Sequence, residues 1–255
     1  MKSEKAPTMT RHSDIIEELQ QHGFRSVLEL AERFEVSTAT IRRDLEKLEQ
    51  MEMVQRTHGG AYPVRQADAP SILKESLHHR EKVAIGKAMA ERVLEGQTVL
   101  LDGGSTTLEV AKHLRDERFT VVTNDLRIGN EIAKKRNAHL VMIGGELLPN
   151  AFSLWGPSSV QQIEQLRVDV AIFGADTVNE DGIFNNNSYE LELKRKMRSI
   201  ANSAFFVADS SKFGREALFR VLEMDGFTAG ITDDLLDPIR ASKFPVPIIS
   251  VHPGR

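Results

Sequence analysis

The sequence predicts an α/β protein in two parts: a small helical unit closed by a β-hairpin, then a larger α/β domain. Three observations predict this. The first sixty residues carry three short apolar stripes at helical spacing and a Gly-Gly hairpin signature. Residues 63–70, PVRQADAP, are polar with a proline at each end and read as linker. Beyond them, short β-rich runs alternate with helical ones, the pattern of a mostly parallel sheet. The expected parts are residues 1–62, a linker over 63–80, and a large domain over 81–255.

In the first part, segment 11–22 places Ile15, Ile16 and Leu19 on one face, and Gly23 stops it. Ser26 with Glu29 three residues on forms a capping box for a second helix that buries Val27, Leu30, Ala31 and Phe34. After the turn Glu35–Val36, Ser37 caps a third helix, TATIRRDLEKLEQ, with the stripe Ile41, Leu45 and Leu48. Two helices joined by so short a turn make a helix-turn-helix. With the stripe inward, Ala39 and Arg43 point outward and Thr40, Arg42 and Lys47 lie on the flanks. Small and hydroxyl residues early in the helix (Ser37, Thr38, Ala39, Thr40), followed by paired arginines, suit entry into a DNA groove. In MVQRTHGGAYPV, two β-like runs flank Gly59-Gly60, expected as a two-residue hairpin tip with positive φ. Such a hairpin is a wing, and Arg56 and His58 on it are placed to touch phosphates. A charge run such as Arg42-Arg43-Asp44 is commonly a solvated face, and periodicity by itself leaves both readings open.

In the large part, strands are expected at 98–102, 119–123, 139–143, 168–173, 204–208, 227–231 and 246–251. Helices are expected at 71–95, 107–115, 126–135, 157–166, 188–202 and 235–242. Ligands of such sheets bind outside the carboxyl ends of the strands. Those ends carry Asp102 with GGSTT, then Thr123-Asn124-Asp125, Gly144-Gly145-Glu146, Gly174-Ala175-Asp176 and Asp209-Ser210-Ser211-Lys212. A Gly-Gly turn running into a helix start aims backbone N–H groups at an anion. GGSTT lacks the spacing of a P-loop or a dinucleotide fold. Hydroxyls, amides, carboxylates and one lysine at corresponding strand ends favour a phosphorylated polyol or sugar, its anion on the Gly-Ser-Thr loop and its hydroxyls on the carboxylates.

Bulk properties set the outer limits. In 255 residues, 40% are hydrophobic and 27% charged, which describes an ordinary chain with a core. There is no cysteine, hence no disulfide, thiolate nucleophile or Cys-based zinc site. No run approaches the roughly 18 apolar residues of a membrane helix, and the first residues lack the apolar core of a signal peptide, so a cytoplasmic location is expected. The net charge is −4, and residues 1–60 hold nine basic against eleven acidic side chains. Affinity for DNA must then come from local placement of Arg and Lys. Adjacent His78 and His79 diverge by about 100° on a helix and cannot chelate together. No metal site, cofactor or catalytic residue is expected. Trp155, the only tryptophan, is expected in the core or at a subunit contact.

The chain resembles the DeoR family of bacterial repressors over both parts. In the first, the family pattern is met by Arg11, Ile15, Leu19, the seventeen residues 20–36, Ser37, and Thr40-Ile41-Arg42-Arg43-Asp44-Leu45. In the second it is met by LDGGSTT, VVTND, MIGGE, FGAD, ELELKRKM and VADSSKFG, in that order. The resemblance implies a winged helix-turn-helix that binds double-stranded operator DNA. It also implies an effector domain similar in fold to ribose 5-phosphate isomerases and CoA transferases, and a homo-oligomer (dimer or tetramer). It further implies a sugar-phosphate effector contacted by Gly104, Ser105, Thr106, Thr107, Asn124, Asp176, Glu192, Lys194 and Lys212, beside Asp102. One stretch departs: where many members carry paired threonines, this chain reads GIFNNNSYE. The expected function is a regulator, a repressor of a sugar or polyol catabolic operon. The rival is a phosphosugar isomerase or transferase fused to a DNA-binding module. In the related isomerases the turn reads Asp-Gly-Ala-Asp, whereas here Phe173 stands in the first carboxylate's place, and phenylalanine carries no proton to transfer.

Overall fold

The computed structural model describes residues 8–51, 53–63, 71–149, 151–214 and 217–254. The chain divides into two compact units, Met1–Leu77 and His78–Arg255.

The first unit contains α1 (Thr8–His22), β1 (Arg25–Ser26), α2 (Val27–Arg33), α3 (Thr38–Gln50), β2 (Val54–Arg56), β3 (Gly60–Pro63) and α4 (Ser71–Ser76). The capping box at α2 is formed: Glu29 N donates to Ser26 Oγ, and Ser26 N donates to Glu29 Oε2 at 2.7 Å. Ser37 caps α3 by accepting from Thr40 N at 3.1 Å. Glu35 makes the turn between α2 and α3 in the left-handed region, φ 52°. Ile15, Leu19, Leu30, Ile41, Leu45 and Leu48 form one core, each 1% exposed or less. Burial of such a side chain contributes about 1.5–3 kcal/mol, so the stripes read from the sequence are what hold the three helices together. Leu77 is buried in the same core. Of the expected linker, residues 64–70 lie outside the described residues.

The hairpin differs from expectation. Its loop is Thr57-His58-Gly59, and Gly60 already belongs to β3. Neither Gly59 nor Gly60 has positive φ. The reason for glycine at 60 is a third strand: β1 pairs with β3 in the register Ser26↔Gly60, and a Cβ there would collide with the Arg25 carbonyl and the Phe24 ring.

The second unit contains α5 (His79–Ala90), β4 (Thr98–Leu101), α6 (Ser105–His113), β5 (Phe119–Thr123), α7 (Leu126–Ala133), β6 (Ala138–Met142), β7 (Glu146–Leu147), β8 (Leu154–Trp155), α8 (Pro157–Glu164) and β9 (Val168–Gly174). It continues with β10 (Thr177–Asn179), β11 (Gly182–Asn185), α9 (Leu191–Ser199), β12 (Ala201–Val207), β13 (Phe219–Glu223), β14 (Ala229–Asp233), α10 (Pro238–Ala241) and β15 (Ile248–Val251). Seven strands form one parallel sheet in the order β15-β14-β12-β9-β4-β5-β6. Successive strands run outward from β4 to β6, and the chain then returns to β9 and runs outward the other way. The reversal lies between β4 and β9, the switch point where open α/β sheets form a crevice. Two apolar clusters line the sheet, one around Phe173, Phe206 and Phe227, the other around Ile85, Val99, Leu108 and Ile231.

Three differences from the expected elements have local causes. The helix expected over 71–95 is interrupted at His78, whose φ of 51° and ψ of 38° are left-handed and end a right-handed helix. A small antiparallel sheet, β10-β11-β13, was not expected, because its strands are three to five residues long and β13 joins the local β10–β11 hairpin from more than thirty residues away. Hairpin β7–β8 is also additional, and it carries Trp155, partly exposed and stacked edge-on against Tyr189 at 5.0 Å. Among the described residues, no helix is long and apolar enough to cross a membrane.

Candidate functional site

In the first unit, α3 is tied to α1 by a buried carboxylate. Asp44, 3% exposed, accepts from Arg11 Nε at 2.7 Å and Nη2 at 3.2 Å, and pairs with His12 Nε2 at 3.0 Å. Burial pushes this carboxyl up, but the hydrogen bonds from Arg11 and His12 outweigh it and hold it below the usual range. Asp44 is therefore not part of a solvated charge run; its two arginine neighbours are. Arg42, Arg43 and Lys47 are exposed, and no described residue pairs with them. Thr38 and Thr40 are half-buried, Ser37 and Ala39 exposed. On the hairpin His58 is exposed, while Arg56 donates to Glu49 Oε2 at 3.2 Å. The outer face of α3 thus presents free cations whose only buried acid is neutralised from within.

In the second unit, the strand ends at the switch point build a polar cluster inside the protein. Asp102, fully buried after β4, accepts from Lys194 Nζ at 2.8 Å and from Gly174 N, at the end of β9, at 3.2 Å. This carboxylate spans the two halves of the sheet. Lys194 comes from α9 and is 4% exposed. Asn124, after β5, is fully buried and donates from Nδ2 to the Leu154 carbonyl at 2.8 Å. Asp176, partly buried, accepts from Asn186 N at 3.4 Å.

Glu190 joins them, 8% exposed, with Lys194, Asp102, Asp176 and the Asn124 amide acting on its carboxyl. Sequence reading had named Glu192 instead. Glu192 is exposed, because two residues along a helix turn the side chain by about 200°. Glu190 is four residues from Lys194 and shares its face; that spacing is the signal that identifies it.

Burial dominates the electrostatics. It raises the Asp102 and Glu190 carboxyls, and Lys194 offsets this only in part. For Lys194 burial lowers the ammonium, but Asp102, Glu190 and Asp176 outweigh it and raise it well above its ordinary value. Three acceptor atoms, Asp102 Oδ1, Asn124 Oδ1 and Glu190 Oε1, are buried without a hydrogen-bond partner among the described residues. Buried acceptors lacking donors cost about 1–3 kcal/mol each.

Beside this cluster α6 begins at Gly104, with no side chain capping it. Its first-turn N–H groups point out of the helix end. The Ser105 and Thr106 hydroxyls are bound by no described residue, whereas Thr107, fully buried, spends its hydroxyl on the Gly104 carbonyl at 3.0 Å. Gly103 is needed where it is, since a Cβ there would collide with Ser153 Oγ. Lys212, 8% exposed, follows β12 and belongs to a second group. There Asp209, buried, is pushed up by burial but held below its usual range by Lys212, Lys82 and His78. Asp209 is one of the strand-end carboxylates expected from the sequence, whereas Lys82 and His78 are not among the expected binding residues; α5 packing on β12 and β14 brings them there. Phe173 is fully buried in the core against Phe227, ring centroids 5.9 Å apart.

Comparison with known proteins agrees with this division. A model of the DeoR-like helix-turn-helix domain matches residues 11–66, and one of the DeoR C-terminal sensor domain matches residues 77–234. The transcriptional repressor AccR of Agrobacterium fabrum is 35% identical over 231 residues, covering 89% of this chain and 90% of that protein. The glycerol-3-phosphate regulon repressor of Escherichia coli is 33% identical over 226 residues, 88% of this chain and 90% of that one. Among solved structures, ribose 5-phosphate isomerase A of Methanocaldococcus jannaschii aligns with 52% of this chain and 53% of its own, at 18% identity and a TM-score of 0.38. The chain has a DNA-binding unit with free cations on its third helix and a sensor unit with a buried polar cluster at the sheet's switch point. It belongs to the DeoR family of DNA-binding transcriptional repressors.

Proposed function

We propose that this repressor responds to a phosphorylated sugar or polyol held at the strand-end cluster. The observation that carries the reading is the set of three buried acceptors, Asp102 Oδ1, Asn124 Oδ1 and Glu190 Oε1, around a single ammonium. Hydroxyl groups supply the donors these atoms lack. A phosphate does not suit the same spot, since three carboxylates surround Lys194. The anion belongs instead at the start of α6, with the Gly104–Ser105–Thr106 backbone, the two free hydroxyls and Lys212. Helix N-termini favour anions through their N–H groups and dipole. The name of the glycerol-3-phosphate regulon repressor fits the same ligand class.

On the DNA side, α3 enters the major groove with Ser37, Thr38, Ala39, Thr40, Arg42, Arg43 and Lys47, and the hairpin brings Arg56 and His58 to the backbone. The protein acts as a homo-oligomer, dimer or tetramer, whose paired helices read two half-sites. The ligand changes the population of the arrangement that fits them. The regulated genes are those of a sugar or polyol catabolic operon.

A thermal-shift panel tests the ligand class: glycerol 3-phosphate, ribose 5-phosphate, the two unphosphorylated polyols and inorganic phosphate. A phosphorylated member at about 100 times its Kd stabilises by roughly 2.7 kcal/mol. The expected result is stabilisation of the wild type and of Glu192→Gln, loss of it in Glu190→Gln, and no conversion of the ligand. Equal stabilisation of Glu190→Gln and wild type overturns the assignment.

A further inference from the structure

The inner atoms of the strand-end cluster are shut off from solvent. Asp102, Asn124, Glu190 and Lys194 are each 8% exposed or less, and the acceptors Asp102 Oδ1, Asn124 Oδ1 and Glu190 Oε1 are themselves buried, while Asp176 at the rim is partly exposed. A ligand reaching these atoms needs a part that moves.

One wall of the cluster is hairpin β7–β8, which Asn124 bonds at Leu154. It is held on the end of β5 mainly by hydrogen bonds. Leu154 N donates to the Asn124 carbonyl at 2.8 Å, and Asn124 Nδ2 returns a bond to the Leu154 carbonyl at 2.8 Å. Leu126 N donates to the Phe152 carbonyl at 2.9 Å, and Leu148 N to the Ser153 carbonyl at 2.9 Å. The Arg127 guanidinium lies 4.5 Å from the centroid of the Phe152 ring. No described side chain of the hairpin belongs to either apolar cluster that lines the sheet, and Leu148 is buried outside both. The opposite wall is the start of α9, where Glu190 enters the cluster. The two walls meet at Trp155, edge-on against Tyr189 with centroids 5.0 Å apart and planes at 64°. Trp155 directly follows Leu154, which Asn124 holds, and Tyr189 directly precedes Glu190. Tyr189 is 51% exposed, so this ring pair closes a mouth instead of filling a core.

We propose that the paired strands β7 and β8 are a lid over the cluster, latched by the Trp155–Tyr189 contact, and that a small polar ligand enters when this pair parts. The proposal rests on the cluster being the effector site. Opening breaks the hydrogen bonds of Leu126 and Leu154 and leaves the sheet intact. Closing removes water from the three acceptors, which strengthens their bonds to ligand hydroxyls.

The test uses full-length, ligand-free protein and amide hydrogen exchange followed by NMR. An aromatic pair of this geometry is worth enough that its loss speeds a local opening by about 2- to 12-fold. In Tyr189→Ala the Leu126 and Leu154 amides, whose bonds cross between the hairpin and the end of β5, are expected to exchange faster by that factor. In Tyr189→Phe they stay at wild-type rates, because the edge contact needs the ring and not the hydroxyl. The Asp102 amide, which donates to the Ile172 carbonyl in the sheet at 3.0 Å, is expected to be unchanged in both. Unaltered exchange at the Leu126 and Leu154 amides in Tyr189→Ala, or equal acceleration at Asp102, overturns the lid. A second arm follows Trp155 fluorescence in stopped flow with glycerol 3-phosphate and ribose 5-phosphate. A sugar that binds is expected to leave Tyr189→Ala faster than wild type, and equal dissociation rates overturn the lid. If neither sugar binds, the ligand class fails while the exchange result still decides the latch.

Discussion

Replacing Lys194 by methionine keeps the stem of the side chain and removes its charge from a site that is 5% exposed, facing an Asp102 side chain that is fully buried. At 2.8 Å and an effective dielectric of about 20, the attraction lost is about 6 kcal/mol. Part is returned because the ammonium no longer has to be desolvated, so the expected cost is the about 3–5 kcal/mol typical of breaking a buried pair from one side. For a unit of this size that lowers Tm by roughly 6–20 °C. The sign of the pH dependence follows from the carboxyls left behind. Asp102 and Glu190 are already raised by burial, and without Lys194 they rise further. Groups raised in the folded state take up protons there before they do when unfolded, so acidification favours the folded form. The cost is therefore largest near pH 8 and shrinks towards pH 5. Urea unfolding read through Trp155, the sole tryptophan, reports on the second unit and not on the first. Adding Asp102→Asn to Lys194→Met removes a stranded charge, so the double variant is more stable than the sum of the two single effects. A cost under about 1 kcal/mol, equal at both pH values and additive in the double variant, would refute the reasoning.

Two further outcomes concern the first unit. Arg42→Ala and Arg43→Ala each weaken operator binding, by about 1–3 kcal/mol with relaxed specificity where a base is read, or uniformly with a salt slope lower by about one where a phosphate is held; a salt series of binding isotherms separates these, and unchanged affinity in both variants rules out α3 as the groove helix. Asp44→Asn removes charge-assisted bonds from Arg11 and His12 and costs the first unit about 1.5–3 kcal/mol near pH 7. Because the Asp44 carboxyl is held below its ordinary value, its contribution is full above that value and lost as pH falls through the lowered one, so thermal melts of variant and wild type converge in acid.

What could be read in the sequence was whatever depends on local pattern. Apolar stripes at helical spacing located α1 to α3, and near-continuous apolar runs located the seven parallel strands to within three residues at their ends. Asp44 was also readable, since it lies three residues after Ile41 and four before Leu48, on the buried stripe, although its charged neighbours make it look like surface. The same helical arithmetic separates Glu190 from Glu192. Not readable were features set by distant chain. Gly60 looks like a turn residue because Gly-Gly usually is one, whereas it is required by the passage of β1. The strands of β10-β11-β13 are only three to five residues long, and β13 joins the β10–β11 hairpin by pairing across more than thirty residues. The closure of the cluster by β7–β8 depends on Asn124 bonding to backbone thirty residues away.

The order of the strands also sets the consequences of premature stop codons. The sheet grows outward from its centre, so the last strand, β15, is an edge, and a chain ending after Asp233 loses that edge while retaining Asp102, Asn124, Glu190, Lys194 and Lys212. A chain ending between β9 and α9 has Asp102 without Lys194, a carboxylate committed to the interior with no counterion, and its sensor cannot assemble as described. Both truncated products still encode all of the first unit. Nonsense alleles between β9 and codon 194 are thus expected to uncouple the regulator from its signal, while those in the last twenty codons act as mild, temperature-dependent lesions.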